Sequence, residues 1–203
     1  MFLTTIIASA ALTIVGQQAL PISCPITGEP VVKGMKVTEY NGVRFTYCCA
    51  GCDTQFEKNP KAALENAVKN GKTVGVFLFD PISMKRLEVN KANGGFSDFK
   101  GIRYYFESDM DKSVFEKEPT KFGVLPTKEA LFCAVSNKVV TSYGKASGYA
   151  DYNGVRYYFC CPGCEGPFAK DPTKYAAIGK EYVKSPAPMI AEKVTSEPAG
   201  GAN

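Results

Sequence analysis

The chain has 203 residues, of which eight are cysteine and none is histidine, and its formal net charge is only +4. Without an imidazole, catalysis by a Ser-His-Asp or Cys-His arrangement is excluded, and sulfur is the expected centre of any chemistry. The basic residues are scattered between acidic ones, so no nucleic-acid partner is expected, because phosphate binding requires a concentrated basic surface.

The first predicted element is an uncharged apolar run at residues 2–15, followed by small residues up to Ala19. This pattern is typical of an export signal, although only the Met1 amine supplies the positive end. We therefore predict a signal peptide at residues 1–19 and an exported protein, periplasmic or extracellular. The run is shorter than the ~20 apolar residues of a spanning helix, so no stable membrane insertion is expected. A membrane anchor formed by this segment is the alternative.

One sequence pattern then occurs three times. Tyr-Asn-Gly-Val-Arg at residues 40–44 recurs at residues 152–156, and residues 99–103 carry the variant Phe-Lys-Gly-Ile-Arg. Repetition of a segment of roughly 50 residues indicates a repeat architecture. The predicted domains are unit 1 (residues 22–70), unit 2 (residues 74–124), unit 3 (residues 128–182) and a Ser-, Pro-, Ala- and Gly-rich tail (residues 184–203) predicted to be disordered.

Each unit is predicted to contain a turn, a β-hairpin and a short helix. The Asn-Gly or Lys-Gly pair precedes β-branched and aromatic residues, which predicts a tight turn and the second strand of a hairpin. In unit 1 the partner strand is predicted at residues 31–40. Asn59 is a predicted helix N-cap with Pro60 in the first helical position, and an Asp-Pro pair does the same in unit 3. The apolar run at residues 74–79 is predicted to be a strand that packs unit 2 against its neighbours.

The cysteines divide equally between the outer units, one before each hairpin and three after it. The candidate metal ligands are Cys24, Cys48, Cys49 and Cys52 in unit 1 and Cys133, Cys160, Cys161 and Cys164 in unit 3. A hairpin that joins a turn cysteine to a helix-start cysteine suits zinc, and three thiolates also suit monovalent copper. Thr27 and Ser136 stand where a second upstream cysteine is expected. The fourth ligand would then be the additional cysteine, a water, or a group from elsewhere.

Unit 2 has acidic residues where the outer units have cysteines. Asp80, Glu107 and Asp111 align with the three spaced cysteines, and Ser108 aligns with the additional one. This favours a unit without a soft-metal site, whose carboxylates are solvated or paired with basic residues and whose fold depends on aromatic side chains. A hard-cation site with oxygen ligands is the alternative.

These motifs resemble the YHS domain and the related TRASH domain. The resemblance covers about residues 22–66 and 131–178, and residues 78–122 in degenerate form. It implies a small α+β fold of three tandem treble-clef-like units that bind zinc, copper or other heavy metals in sensing, trafficking or resistance. The implied ligands are Cys24, Cys48 and Cys52, and Cys133, Cys160 and Cys164. Cys49 and Cys161 stand where many relatives have serine, so the resemblance assigns them no role.

Three functions follow as hypotheses. The first is an exported, non-enzymatic metal-binding protein with two thiolate sites, whose partners are a metal ion and a metal-trafficking protein. The second is a structural or interaction module stapled by disulfides, since four cysteines per outer unit could form two bonds. The third is thiol-disulfide exchange at the two Cys-x-x-Cys pairs, although no thioredoxin-like βαβ pattern surrounds them.

Overall fold

The structure is a computed structural model, and it describes residues 21–31 and 36–191. The predicted signal peptide and residues 32–35 of the predicted first strand lie outside the described residues. Within the described part of the chain, no helix is long and apolar enough to cross a membrane. That part is a small mixed α+β protein built from short strands and short helices.

The described residues contain eleven strands and six α-helices. The strands are β1 (Val37–Tyr40), β2 (Val43–Thr46), β3 (Gly75–Phe77), β4 (Phe96–Phe99), β5 (Ile102–Tyr105), β6 (Glu129–Ala130), β7 (Phe132–Cys133), β8 (Lys138–Val139), β9 (Gly148–Tyr152), β10 (Val155–Phe159) and β11 (Met189–Ile190). The α-helices are α1 (Cys52–Lys58), α2 (Pro60–Lys69), α3 (Asp109–Lys117), α4 (Pro119–Phe122), α5 (Glu165–Lys170) and α6 (Pro172–Ile178). The 3₁₀ helices are Val89–Lys91, Tyr143–Lys145, Pro162–Cys164 and Lys180–Tyr182.

Strand β3 joins two hairpins into one sheet. The six-stranded sheet has the order β11-β1-β2-β3-β5-β4, and β3 pairs antiparallel with β2 and parallel with β5. The apolar run at residues 74–79 therefore connects unit 1 to unit 2, as its composition predicts. In unit 3 the order is β6-β10-β9, with β6 parallel to β10, and β7 and β8 form a separate pair.

The three hairpins, β1-β2, β4-β5 and β9-β10, share one turn and one ion pair. The two turn residues of each have positive φ, which is the geometry of the predicted two-residue turn. These residues are Asn41 and Gly42, Lys100 and Gly101, and Asn153 and Gly154. The arginine of the repeated motif is buried in each hairpin and bonds the acid directly across. The pairs are Arg44 with Glu39 (2.8 Å), Arg103 with Asp98 (2.7 Å) and Arg156 with Asp151 (2.8 Å).

A phenylalanine of the first helix in each unit packs on the hairpin. Phe56, Phe115 and Phe168 are buried, with ring centroids 4.6 to 5.3 Å from aromatic rings of the second hairpin strand. The following helices α2 and α6 begin as the sequence predicts. The Asn59 side chain accepts a hydrogen bond from the N–H of Ala62, and Asp171 caps α6 in the same way.

The two ends of the predicted repeat region differ from expectation. The first strand begins at Val37 and thus covers only the last four residues of the predicted segment. Pro30, which lies just before that segment, pairs with Ser23 in the preceding turn. The prediction of a disordered tail is wrong for residues 184–191. Met189 and Ile190 form β11 and pair with β1, whose outer edge would otherwise carry unpaired backbone groups. The remaining tail, residues 192–203, lies outside the described residues.

A buried carboxyl group lies close to the contact between units 1 and 3. Glu129 in β6 is fully buried, and the Tyr143 hydroxyl donates a hydrogen bond of 2.5 Å to its Oε1. Oε2 has no hydrogen-bond partner among the described residues. Burial raises the pKa of Glu129 to about 7, against the opposing effects of the Tyr143 hydrogen bond and of the charges on Lys184 and Arg156.

We expect the protein to lose stability as the pH rises through about 7. The pKa of Glu129 is raised from 4.5 to about 7 on folding. Between these two pH values the folded chain therefore binds more protons than the unfolded chain. The stabilisation is complete below pH 4.5 and is lost as the carboxyl ionises, which amounts to about 3 kcal/mol. Urea unfolding followed by circular dichroism at pH 5 and pH 8 measures this loss. Glu129→Gln should remove most of it, and an unchanged pH dependence in this variant would contradict the assignment.

Candidate metal centres

Three sulfur atoms converge in each outer unit. The Sγ atoms of Cys24, Cys48 and Cys52 lie within 4.8 Å of one another, and so do those of Cys133, Cys160 and Cys164. Sulfurs bound to a tetrahedral zinc ion at about 2.3 Å are about 3.8 Å apart. A small inward movement therefore suffices for each group to share one ion. The donor set fits a soft metal, because thiolates are preferred ligands of zinc and monovalent copper.

The upstream cysteine of each group lies in a tight backbone turn. An antiparallel bridge pairs the residue before it with a residue seven positions farther on, Ser23 with Pro30 and Phe132 with Val139. The turn closes through a residue with positive φ, which is Gly28 in unit 1. This fold of the backbone directs N–H groups at the sulfur atom. The second cysteine, Cys48 or Cys160, lies at the end of the hairpin. The third, Cys52 or Cys164, lies at the start of the following helix.

Backbone donors favour ionisation of the upstream thiols. Burial by itself would raise the pKa of Cys24, but hydrogen bonds from the N–H groups of Cys48, Thr27 and Ile26 outweigh it, and the pKa is lowered. The pKa of Cys133 is lowered to about 7, again against burial, chiefly by the Ser136 hydroxyl and by the N–H groups of Cys160 and Ser136. A thiol with a lowered pKa provides the thiolate that metal binding requires.

The other two thiols of the unit 3 group ionise less readily. Burial and the neighbouring thiols Cys161 and Cys133 raise the pKa of Cys164. The Ser136 hydroxyl lowers the pKa of Cys160, but burial and the adjacent Cys133 outweigh this and raise it. One thiolate therefore disfavours ionisation of the next, since like charges repel at this distance. A bound cation would oppose that effect, because it stabilises the thiolate form of its ligands.

Hydroxyl groups stand at the position where a second upstream cysteine is expected. The Thr27 Oγ1 atom lies 3.2 Å from the Sγ of Cys48, and the Ser136 Oγ atom lies 3.0 Å from the Sγ of Cys160. Each hydroxyl is thus hydrogen-bonded to a sulfur and orients it. Each centre thus brings together three cysteine sulfurs, and the nearby hydroxyl contacts one of them.

The additional cysteines are outside both groups of three. Cys49 forms a disulfide with Cys52, three residues later. In unit 3 the Sγ of Cys161 lies 2.7 Å from the Sγ of Cys164, and both thiols are free. The eight predicted ligands therefore fall into two spaced triplets plus one further cysteine per unit, and that cysteine contacts the helix-start ligand. Cysteine spacing alone left this arrangement open.

In unit 2 an aspartate occupies the place of the upstream thiol. Asp80 is fully buried, and its Oδ1 accepts hydrogen bonds from the N–H groups of Ile82 (2.8 Å) and Ser83 (3.3 Å). Its Oδ2 accepts one from the N–H of Glu107 (2.8 Å). The Cys133 sulfur accepts hydrogen bonds from two corresponding donors in unit 3, the N–H groups of Ser136 and Cys160. The prediction that the acids of unit 2 are solvated or paired with basic side chains is therefore wrong for Asp80. The backbone of the turn directs its N–H groups at the side chain in this position, which therefore has to be a hydrogen-bond acceptor.

The remaining acids of unit 2 have local contacts. Asp80, Glu107 and Asp111 bring carboxylate oxygens within 4.8 Å of one another. The Oδ2 of Asp111 accepts a hydrogen bond of 2.6 Å from the Ser108 hydroxyl, and Ser108 caps helix α3 through the Asp111 N–H. Glu107 is exposed. Closure of the turn therefore accounts for the buried Asp80, and the cap of helix α3 accounts for the half-buried Asp111.

Comparison with known families identifies one segment of unit 3. The sequence profile of the YHS domain matches residues 141–178, which span the hairpin β9-β10, the Cys-Cys-Pro-Gly-Cys motif and helices α5 and α6. Cys133 lies upstream of the matched segment. No curated protein and no solved structure matches the chain. Unit 3 therefore contains a segment similar to the YHS domain, a cysteine-rich domain whose thiols here have the donor set of a metal site.

Proposed function

We propose that this protein is an exported, non-enzymatic metal-binding protein with two sites of three thiolates each. The sites take up Zn(II), Cu(I) or another soft heavy metal for buffering, trafficking or sensing. The observation that carries the proposal is the convergence of three sulfurs within 4.8 Å in each of two separate units. The similarity of residues 141–178 to the YHS domain supports it for unit 3.

Repeated geometry supports extending the proposal to unit 1. The bridges Ser23 with Pro30, Phe79 with Arg86 and Phe132 with Val139 each close a turn of the same length. Each turn precedes a hairpin with the same type of loop and then a pair of helices. We infer that the three units are copies of one treble-clef-like module. In the central copy, Asp80 replaces the upstream thiolate, and so that copy needs no metal.

The openness of the sites favours a function in metal transfer over a purely structural one. Structural zinc sites are normally closed by four protein ligands, whereas each group here brings only three sulfurs together. Cys48 and Cys160 are half-buried, so an incoming thiolate can reach the centre from solvent. Monovalent copper in particular accepts low coordination numbers. A metal-trafficking protein that donates or accepts the ion is therefore the proposed partner.

The Cys49–Cys52 disulfide favours a second role for the cysteines, but not that of staples for the whole fold. The stabilisation from a disulfide grows with the length of the loop that it closes, and this loop has only two intervening residues. Such a bond constrains the unfolded chain little. Its consequence is local, because Cys52 also belongs to the group of three sulfurs.

We expect the reduced protein to bind two soft metal ions per chain. Each triplet of sulfurs can surround one ion, and the acidic group of unit 2 has no thiolate to offer. Native mass spectrometry during titration with Zn(II), and separately with Cu(I), counts the bound ions. Protein whose thiols are alkylated under reducing conditions is the control and should bind none. Uptake of no ion by the reduced protein, or undiminished uptake after alkylation, would overturn the proposal.

A further inference from the structure

The disulfide of unit 1 uses a sulfur of the proposed metal site. Cys52 is one of the three converging cysteines, and it is bonded to Cys49. A sulfur in a disulfide cannot act as a thiolate, and metal ligation by cysteine requires the thiolate. With this bond closed, unit 1 keeps only Cys24 and Cys48 as thiol ligands. Bond closure and metal binding therefore compete for the same atom.

Unit 3 has the same pair of cysteines with the bond open. The Sγ atoms of Cys161 and Cys164 lie 2.7 Å apart, and Cys164 belongs to the second group of converging sulfurs. The additional cysteine thus stands next to the helix-start ligand in both units, at the same spacing of three residues. Two independent occurrences of this contact indicate a shared arrangement of ligand and disulfide partner.

Differences in exposure decide which sulfur an external thiol reaches first. Cys52 and Cys164 are buried, with 4% and 3% of their surface exposed, whereas Cys49 and Cys161 are partly exposed. An external thiolate therefore attacks the additional cysteine, and the buried ligand sulfur is the leaving group. Access of this kind is a requirement for thiol-disulfide exchange in a folded protein.

We propose that Cys49 and Cys161 control metal binding at the two sites by forming and breaking disulfides. Each additional cysteine together with its helix-start ligand, Cys49 with Cys52 and Cys161 with Cys164, is called a redox latch. Closing a latch converts the helix-start ligand into half of a disulfide and releases the metal, and opening it restores three thiolates. The inference rests on the proposed metal-binding function and assigns a role to the cysteines that the metal groups leave out.

The exchange balances with an external dithiol and its disulfide form as the co-reactants. In opening, a thiolate of the dithiol attacks the Cys49 sulfur, which forms a mixed disulfide and releases the Cys52 thiolate. The second thiol of the reductant, after losing its proton, displaces the Cys49 thiolate and closes the reductant into a disulfide. Two electrons pass from the dithiol to the protein. Closing is the reverse reaction, in which the external disulfide accepts two electrons and becomes a dithiol.

Zinc is the appropriate probe for a test, because it has no redox chemistry of its own. Reduced protein is loaded with Zn(II), freed of reductant, and treated with a small-molecule disulfide as oxidant. We expect both ions to be lost, peptide mapping by mass spectrometry to locate bonds at Cys49–Cys52 and Cys161–Cys164, and reduction to restore uptake. The double variant Cys49→Ser, Cys161→Ser should bind two ions and lose them roughly 10-fold more slowly. Each single variant should retain one ion under oxidation.

The outcomes separate the latch from the metal site itself. If reduced wild-type protein takes up no zinc, the metal site is overturned, and the latch with it. If it takes up two ions and still holds both when the two bonds are mapped, the latch alone is overturned. Equal rates of zinc loss from the wild type and the double variant would also overturn the latch, since oxidation would then act elsewhere.

Discussion

Replacing Cys133 by serine is expected to remove the metal ion of unit 3 and leave that of unit 1 in place. Cys133 is fully buried and provides the upstream sulfur, and the two remaining thiols cannot hold an ion in competition with solvent ligands. Loss of supporting groups around a metal typically costs 10- to 100-fold in affinity, so loss of a ligand should cost at least ~100-fold. Native mass spectrometry should show one ion where the wild type binds two, and competition with a chromophoric chelator gives the affinity.

The matched control for Cys133→Ser is Cys161→Ser in the same unit. It also removes one thiol, but one outside the group of three, and under reducing conditions it should bind two ions. Cys160→Ser tests a half-buried ligand and should repeat the loss without altering the core. Two ions bound by Cys133→Ser and Cys160→Ser, or a single ion bound by Cys161→Ser, would show that the ligands are wrongly assigned.

Removing the Asp80 carboxylate is expected to destabilise the protein more than any other change to the acidic group. Asp80→Ala leaves the backbone N–H groups of Ile82, Ser83 and Glu107 without their acceptor in a buried turn. Each buried donor without a partner costs about 1–3 kcal/mol, so we expect the free energy of unfolding to fall by about 3–5 kcal/mol. Urea unfolding followed by circular dichroism measures the change.

Two variants make the Asp80 test specific. Glu107→Ala removes an exposed acid of the same group and should change the free energy of unfolding by less than about 0.5 kcal/mol. Asp80→Asn keeps one acceptor oxygen and should fall between Asp80→Ala and the wild type. A loss below about 1 kcal/mol in Asp80→Ala would show that the turn does not depend on this acceptor.

The Asp80 turn also bears on how the metal sites are held together. The Arg86 N–H bonds the Ser147 carbonyl at 2.8 Å, and the Tyr149 N–H bonds the Met84 carbonyl at 3.0 Å. The turn of unit 2 thus pairs with the hairpin of unit 3, while β3 pairs with the hairpin of unit 1. Unit 2 therefore packs against both metal-binding units, with its turn closed by a carboxylate that the chain itself supplies.

Much of the local structure could be predicted from the sequence. The two-residue turns at residues 41–42 and 153–154, the N-cap at Asn59 and the Asp-Pro start of α6 all depend on neighbouring residues. Their physical causes, such as positive φ at Asn-Gly and side-chain capping, act within three or four positions of the chain. The two cysteine triplets were implied by the resemblance to the YHS and TRASH domains, whereas the cysteine spacing by itself left Cys49 and Cys161 open as further ligands.

The tertiary structure alone decided the features that depend on residues far apart in the chain. Composition predicted disorder at Met189, but the free edge of β1 gives it a pairing partner. The sequence favoured a solvated or ion-paired Asp80, but in the folded chain its carboxylate accepts a hydrogen bond from the N–H of Glu107, 27 residues away. The sequence thus identified four candidate thiols in each outer unit. Only the folded geometry determined that Cys49 and Cys161 face a metal ligand, because side-chain direction depends on the packed backbone.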